Sequence, residues 1–442
     1  MKKLLCLFLC IGSLQAQTFD KSKLDSLFNA LESHNLAMGS IAINYNGKEI
    51  FNKSIGYADV SNQIKSNELT KYRIGSITKT FTAVVIMQLI EEGKLSLETL
   101  LSDFFPKIPN ADKITMENLM RHQSGLFNIT NEQNFIKWIS KPRGREEMLK
   151  RIIKNGSVFE PKEKTEYSNT NFILLSYIAE DLDDKDFSLI LEDRIIQPLG
   201  LKRTEYGQKI QPEQNEALPY YFENSQWKLI DPRTDLSGPR GAGAVVSTPS
   251  DLTVFYTALF SGELVSDESI KKMTDTSTGM GMGLGAGSFT NKSGFGHDGS
   301  IDGFQSFALY MPDENVSITY CSNAVNLSFY YILQSAVGIY FGEDYEFPEF
   351  EPSKPLLSLT SSQLDAYLGI YSSPDFPLKI TITKNENQLF AQATGQGAFP
   401  VDAIEKDTFK SFEEMINLTF DPDQNILLLD QLGYPNHKLS KE

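Results

Sequence analysis

The chain has 442 residues, of which 40% are hydrophobic and 22% are charged, a composition typical of a globular protein with more than one structural unit. Its 41 Lys and Arg residues against 57 Asp and Glu residues give a formal net charge of −16. This excess of acid argues against nucleic acid as a partner, because such binding depends on neutralising phosphates with Lys and Arg.

The first sixteen residues, MKKLLCLFLCIGSLQA, predict a cleaved secretory signal peptide, with two lysines, an apolar run and the small residue Ala16. Cys10 lies inside the apolar run and lacks the preceding small residues of a lipid-anchoring signal, which disfavours lipidation. We therefore predict export to the periplasm or the extracellular space. After cleavage only Cys321 remains, which predicts a buried cysteine and no internal disulfide. No later segment reaches the ~18 consecutive apolar residues of a membrane-spanning helix.

The mature chain opens with predicted helical and hairpin elements. Apolar residues recur at helical spacing over 24–31, and Asn-Gly at 46–47 predicts a tight turn between two strands. A helix is predicted from Ser76, as a candidate N-cap, to Gly93 near its C-terminus. Residues 97–227 then predict short helices separated by polar loops.

The second half returns to strands. Helical spacing follows STPSDL at 247–252, strands are predicted between 280 and 324, and a buried helix closes the segment at 327–342. Helix and strands at both ends bracket a helical middle. The predicted fold class is therefore α+β, an antiparallel β-sheet flanked by helices with an all-helical region.

Four segments are predicted in total. They are the signal peptide (1–16), a first domain (17–345), an acidic, proline-containing linker (346–357) and a C-terminal unit (358–442). The last unit has short alternating runs separated by Asn, Asp and Gly turns, which predicts a small antiparallel barrel or sandwich.

Ser76-x-x-Lys79 is the first candidate catalytic motif. One helical turn places the lysine beside the serine, and a lysine removed from water loses its proton more readily and can activate a serine. The spacing also occurs at Ser225–Lys228 and at Ser269–Lys272, which we interpret as chance. Only Ser76 precedes an apolar helix that would bury its first turn.

Two further motifs follow in the chain. Tyr167-x-Asn169 precedes a buried helix, and a tyrosine beside a cationic lysine could ionise and act as a base. A structural tyrosine is the alternative reading. His297 begins His-Asp-Gly-Ser after a segment in which glycines alternate over 281–287, which favours a site role over an ordinary surface histidine. The other histidines, His34, His122 and His437, lack ligand spacing, so neither a metal nor another cofactor is predicted.

The order Ser-x-x-Lys, Tyr-x-Asn, His-x-Gly resembles the serine β-lactamase-like superfamily. The resemblance covers about residues 20–345 and includes LMRHQSGL (119–126), GAGAVVSTPSDL (241–252) and GHDGSIDGF (296–304). It is greatest to the branch with class C β-lactamases, D-Ala-D-Ala carboxypeptidases, D-aminopeptidases and esterases. The C-terminal unit resembles the lipocalin-like barrels appended to some of these hydrolases, where it is a candidate for covering the cleft or recognising a partner.

The resemblance implies a role for each motif residue. Ser76 would be the acylated nucleophile, Lys79 its proton partner and Tyr167 the general acid/base, with the backbone N–H groups of Ser76 and Ser300 as the oxyanion hole. The implied substrate-binding residues are Asn169, His297, Gly299 and Ser300.

The chain departs from the family pattern at three positions. Many β-lactamases have Lys-Thr-Gly where this chain has His297-Asp298-Gly299, and the negative charge of Asp298 should disfavour anionic β-lactams and peptide C-termini. Lys162 stands where the family usually has glycine, which changes a loop.

We predict an exported serine hydrolase that cleaves small esters or D-amino-acid amides and peptides. A D-Ala-D-Ala carboxypeptidase acting on cell-wall peptide, or a weak β-lactamase, is the alternative within enzymes. A non-catalytic binding protein on the same fold, or an interaction role carried by the barrel, is the alternative outside them. The oligomeric state stays open.

Overall fold

The computed structural model describes residues 19–223, 225–289, 291–343, 355–394, 397–412, 414, 416–431 and 436–442. The predicted signal peptide (1–16) and most of the predicted linker, up to residue 354, lie outside the described residues.

The strands before the linker are β1 (Ala37–Tyr45), β2 (Lys48–Ile55), β3 (Tyr57–Asp59), β4 (Ile64–Lys65), β5 (Tyr72–Arg73), β6 (Glu205–Tyr206), β7 (Tyr220–Glu223), β8 (Gln226–Leu229), β9 (Val245–Ser247), β10 (Gly285–Phe289), β11 (Lys292–Ile301), β12 (Phe304–Met311) and β13 (Val316–Val325). The helices are α1 (Lys21–Ser33), α2 (Thr78–Glu91), α3 (Met116–Met120), α4 (Phe135–Ile139), α5 (Arg145–Asn155), α6 (Asn169–Asp183), α7 (Phe187–Leu191), α8 (Gln197–Leu199), α9 (Pro249–Phe260), α10 (Asp267–Thr274) and α11 (Phe329–Tyr340).

A six-stranded antiparallel sheet in the order β10-β11-β12-β13-β1-β2 forms the framework. Helices α1 and α11 pack apolar side chains on one face, and α9 packs on the other beside α2. Phe81 of α2 stacks on Phe255 of α9 with ring centres 3.8 Å apart. Because both faces are covered, β13 is buried along almost its whole length, including Cys321. The predicted α+β fold is confirmed.

The predicted hairpin turn at 46–47 is also confirmed. Asn46 and Gly47 both adopt positive φ, 51° and 76°, between the paired residues Tyr45 and Lys48. This is the backbone geometry that a two-residue hairpin of Asn-Gly provides.

The C-terminal unit is a closed antiparallel barrel of eight strands. Its elements are α12 (Ser361–Leu364), β14 (Gly369–Ser373), β15 (Phe376–Asn385), β16 (Gln388–Ala393), β17 (Phe399–Glu405), β18 (Thr408–Ser411), β19 (Ile416–Asp421), β20 (Ile426–Gln431) and β21 (His437–Lys441). Buried side chains such as Phe409, Leu418 and Leu427 pack together as its core. Leu357, at the end of the predicted linker, donates its N–H to Ala403 O at 2.8 Å and so already pairs with the barrel.

In the described part of the chain, every helix is too short or too polar to cross a membrane.

Candidate active site

Ser76 lines a cleft of about 1060 Å³, together with residues of the helical region and of strand β11. It sits in a single 3₁₀ turn, Gly75–Ile77, and α2 begins after it at Thr78. The prediction that Ser76 is the N-cap of this helix is therefore wrong, since Ile77 holds that position. The serine hydroxyl contacts other side chains of the site instead.

Lys79 is fully buried beside Ser76. Its Nζ lies 2.9 Å from Ser76 Oγ, 2.8 Å from Asn169 Oδ1 and 2.7 Å from Ala242 O. Burial holds the pKa of Lys79 well below its ordinary value, and the negative charge of Asp298 opposes that shift.

The three contacts of Lys79 fit a neutral amine. Asn169 Oδ1 and Ala242 O can only accept hydrogen bonds, whereas a hydroxyl can also donate. An amine with two N–H groups and one lone pair can donate to these two oxygens and accept the proton of Ser76. An ammonium with three N–H groups would satisfy the same three oxygens, so it is the pKa lowered by burial that favours a neutral lysine able to take the serine proton.

Tyr167 donates its hydroxyl proton to Ser76 Oγ at 2.8 Å. Burial raises the pKa of Tyr167, and Asp298 raises it further, while the hydrogen bond with Ser76 acts in the opposite direction. The expectation that a cationic lysine would help Tyr167 ionise is wrong, because burial disfavours the charged forms of both side chains. Burial therefore favours a protonated tyrosine beside a neutral lysine.

Asn169, the first residue of α6, is held in one orientation. Its backbone N–H and its side-chain Nδ2 both face Asn128 Oδ1, at 3.1 and 3.3 Å, and Nδ2 also faces Thr130 Oγ1 at 3.4 Å. With the amide nitrogen on that side, Asn169 Oδ1 must point to Lys79. Asn128 and Thr130 are positioning residues that the sequence motifs did not reveal.

His122 belongs to the site although its lack of ligand spacing gave it no predicted role. Its ring stacks on that of Tyr167 with centres 4.4 Å apart, and His122 Nδ1 accepts the Ser168 N–H at 3.0 Å. Burial holds the pKa of His122 well below its ordinary value, and Lys79 and His297 lower it further. The imidazole that packs against the Tyr167 ring is therefore neutral. In the sequence, the only signal for this role is the position of the histidine within the stretch LMRHQSGL.

His297 lies on β11, with its ring centre 6.3 Å from that of Tyr167. Its Nδ1 contacts the carbonyl oxygen of Asp298, which can only accept, so Nδ1 carries the proton and Nε2 is an acceptor in the neutral ring. Burial lowers the pKa of His297 to about 4, with Lys79 acting in the same direction. Where a lysine would offer a cation, this residue offers a neutral imidazole.

Gly299 and Ser300 form the end of β11 that rests on the nucleophile turn. A Cβ on Gly299 would lie 2.0 Å from Ile74 O and 2.5 Å from Ser306 Oγ, and one on Gly75 would lie 2.8 Å from Ser300 N. The strand can approach Ser76 this closely only because these positions have no side chain. The Ser300 side chain itself is exposed.

Replacing Gly299 by alanine should lower the free energy of unfolding by about 1–3 kcal/mol, the usual cost of overpacking, and displace the turn that carries Ser76. Gly287→Ala on β10 is the matched control, since its Cβ would meet its nearest neighbour at an ordinary 3.6 Å. Chemical denaturation of both variants measures the difference. Equal, small changes would contradict the close approach.

Two other sequence expectations have structural outcomes. Lys162 adopts a φ of 69°, the left-handed region that glycine favours, and so keeps the glycine-like loop backbone at some cost in strain. The glycine-alternating strand is shorter than expected, because β10 begins only at Gly285. Gly283 precedes it and packs on α2, where a Cβ would lie 2.6 Å from Ala83 Cβ.

The charged groups that line the cleft are acidic. Asp231, Asp298 and Asp302 line it, and among its described lining residues there is no Lys or Arg. Asp298 is 63% exposed. Asp302 is paired with Arg73 at 2.8 Å, and Asp231 lies 3.9 Å from the Arg233 guanidinium, so the unpaired negative charge comes chiefly from Asp298.

Comparison with known proteins gives three relevant similarities. The chain is 30% identical to the penicillin-binding protein PbpX of Bacillus subtilis (strain 168) over 236 residues, which are 53% of this chain and 58% of that protein. It is 26% identical to penicillin-binding protein 4* of the same strain over 402 residues, covering 85% and 88%. The structure of D-amino acid amidase from Ochrobactrum anthropi SV3 with D-phenylalanine matches 69% of this chain and 92% of the amidase, with a TM-score of 0.61 and 26% identity.

The Beta-lactamase family model matches residues 24–332, and the chain belongs to that family. It is a hydrolase of the β-lactamase fold, related to penicillin-binding proteins and D-amino acid amidases.

Proposed function

We propose that the chain is an exported serine hydrolase that forms an acyl-enzyme on Ser76 and cleaves uncharged esters or D-amino-acid amides and peptides. The observation that carries the proposal is the fully buried Lys79, whose Nζ lies 2.9 Å from Ser76 Oγ and whose pKa burial holds well below its ordinary value. Export rests on the sequence of residues 1–16.

Acylation follows from these contacts. Ser76 Oγ attacks the substrate carbonyl carbon while its proton moves to Lys79 Nζ, and the oxyanion is stabilised by the backbone N–H groups of Ser76 and Ser300. The bond to the leaving group then breaks. The leaving group takes the hydroxyl proton of Tyr167, and the Lys79 ammonium returns a proton to the tyrosine.

Deacylation uses the same groups in reverse. A water molecule attacks the acyl-enzyme, its proton passes to the Lys79–Tyr167 pair, and Ser76 leaves with that proton. The products are a carboxylic acid and the restored serine. No group besides these side chains and water is needed for the proton balance.

The charge of the cleft supports a substrate without a free carboxylate. A substrate carboxylate would meet the negative charge of Asp298, and His297 offers it no cation because the pKa of this histidine is lowered to about 4. Esters and amides without a free carboxylate avoid this repulsion.

Replacing Asp298 by asparagine should improve an anionic substrate relative to its neutral analogue. We expect a two- to fivefold rise in the ratio of kcat/KM values, the effect of about 0.4–1 kcal/mol for an exposed charge. Because the negative charge of Asp298 raises the pKa of Lys79, its removal should also shift the acid limb of the pH profile to lower pH. Steady-state kinetics against pH at low ionic strength measures both.

Asp313→Asn, an exposed acidic residue outside the cleft lining, is the control. An unchanged substrate ratio, or an acid limb that moves to higher pH, would contradict the role given to Asp298.

A substrate panel tests the proposed function. Hydrolysis of p-nitrophenyl acetate or of D-alanine p-nitroanilide in preference to the L isomer is expected. Release of D-alanine from D-Ala-D-Ala, or opening of a chromogenic cephalosporin, at a higher kcat/KM would favour the carboxypeptidase or β-lactamase alternative. No turnover of any of these would favour a binding protein.

A further inference from the structure

One wall of the cleft is apolar and comes from the helical region. It consists of Ile129, Phe135, Ile136, Ile139, Met148 and Ile173. We call these six residues the apolar wall. The proton transfers proposed above use none of them.

The apolar wall begins next to the reacting groups. Asn169, which contacts Lys79, and Ile173 are four residues apart on α6 and so lie on the same helix face. Four of the six wall residues are at most 3% exposed, so the apolar surface still open to a substrate lies mainly on Phe135 and Ile136.

Packing behind the wall keeps it in place. Ile139 fits against Gly238, where a Cβ would lie 2.3 Å from Ile139 Cδ1. The Phe135 ring meets the edge of Trp138 with centres 5.2 Å apart, and the Arg151 guanidinium lies 4.3 Å from the centre of Trp138. These aromatic and cation–π contacts hold the apolar wall in place from behind, so its shape is formed before a substrate binds.

Ile136 stands at the open side of the wall with 65% of its surface exposed. Leaving a large aliphatic side chain in water forgoes the free energy that its burial would provide. A cleft of about 1060 Å³ is also far larger than an acetyl group or a single small amino acid needs. Both features fit an apolar ligand group that covers Ile136.

We propose that the apolar wall binds a hydrophobic group of the substrate, such as an alkyl chain of about six carbons or more or an aromatic ring. The inference rests on the proposed function and specifies its substrate class. The group could belong to the acyl part or to the alcohol or amine part of the substrate, and the chemistry that binds it is the same.

Two ester series distinguish these sources. In the acyl series, p-nitrophenyl acetate, butanoate, hexanoate and octanoate are compared; in the alcohol series, ethyl, butyl and octyl acetate are compared. Each CH₂ that leaves water should raise kcat/KM up to about fourfold, which is the ratio equivalent to 0.8 kcal/mol. We expect a rise of about tenfold or more across at least one series, measured below the solubility limit of each ester.

Ile136→Ser is the informative variant because an exposed side chain can be changed with little effect on folding. It should lower kcat/KM for the longest preferred ester about fivefold more than for the acetate. Leu189→Ser is the matched control, since Leu189 is 52% exposed on α7 and does not line the cleft. It should leave the long-to-short ratio unchanged.

The outcomes separate this inference from the proposed function. Turnover that depends on Ser76 but is flat or falling along both series would overturn the hydrophobic subsite and leave the proposed function intact. A rise that Ile136→Ser does not reduce would overturn the assignment to the apolar wall. Turnover that does not depend on Ser76 would overturn both.

Discussion

Replacing Lys79 by alanine should reduce kcat/KM for p-nitrophenyl acetate by about 10³-fold, within the usual contribution of general acid–base catalysis. The amine is the only base within hydrogen-bond distance of Ser76 Oγ among the described residues, since the other contact, Tyr167, is a donor with a raised pKa. Steady-state kinetics on purified variants of matched thermal stability measures the loss.

The Ser-x-x-Lys pair at Ser269 and Lys272 provides the control. Lys272 lies four residues after Glu268 on α10 and pairs with it at 2.7 Å, and its side chain is 45% exposed. Lys272→Ala should leave kcat/KM within about twofold of the parent value, as expected for a surface substitution. If Lys79→Ala also stayed within tenfold of the parent, another group would have to be the base.

Replacing Asp302 by alanine should lower the free energy of unfolding by about 3–5 kcal/mol, because it leaves a buried guanidinium without its partner. The Arg73 and Asp302 side chains are 2% and 8% exposed and 2.8 Å apart. Asp302 also accepts hydrogen bonds from Thr234 N and Oγ1, and Arg73 donates to Thr234 O. The pair thus joins the segment before Ser76, the β11–β12 turn and the loop around residue 234.

An exposed ion pair gives the comparison for this prediction. Lys65 and Glu32 are 2.7 Å apart, but their side chains are 56% and 37% exposed. Lys65→Ala should change the free energy of unfolding by no more than about 1 kcal/mol. Urea denaturation of both variants distinguishes the two cases. A loss below 1 kcal/mol in Asp302→Ala would show that water reaches Arg73 and that the pair does not hold the cleft together.

Local signals in the sequence were sufficient to predict most elements of the fold. The Asn-Gly turn, the helical spacing in α1 and the apolar closing helix α11 each depend on neighbours within a few residues, so the sequence pattern could reveal them. The position of Ser76 was missed by a small shift, since a 3₁₀ turn and the start of an α-helix have nearly the same sequence signals.

The site could be predicted only in part, for a similar reason. The spacing of Ser76 and Lys79 is local, whereas the Lys79 contact with Asn169 spans 90 residues and that with Ala242 spans 163. The direction of the Tyr167 pKa depends on burial by distant segments, and the stacking of His122 on it follows from the fold. These features become visible only when the chain is folded.

The most direct test of the account is to measure the intact mass of the mature protein during turnover of a slowly hydrolysed ester. We predict an increase equal to one acyl group, mapped to the peptide that contains Ser76, present in Ser269→Ala and absent in Ser76→Ala. Turnover without any adduct, or an adduct that persists in Ser76→Ala, would contradict a covalent mechanism on this serine.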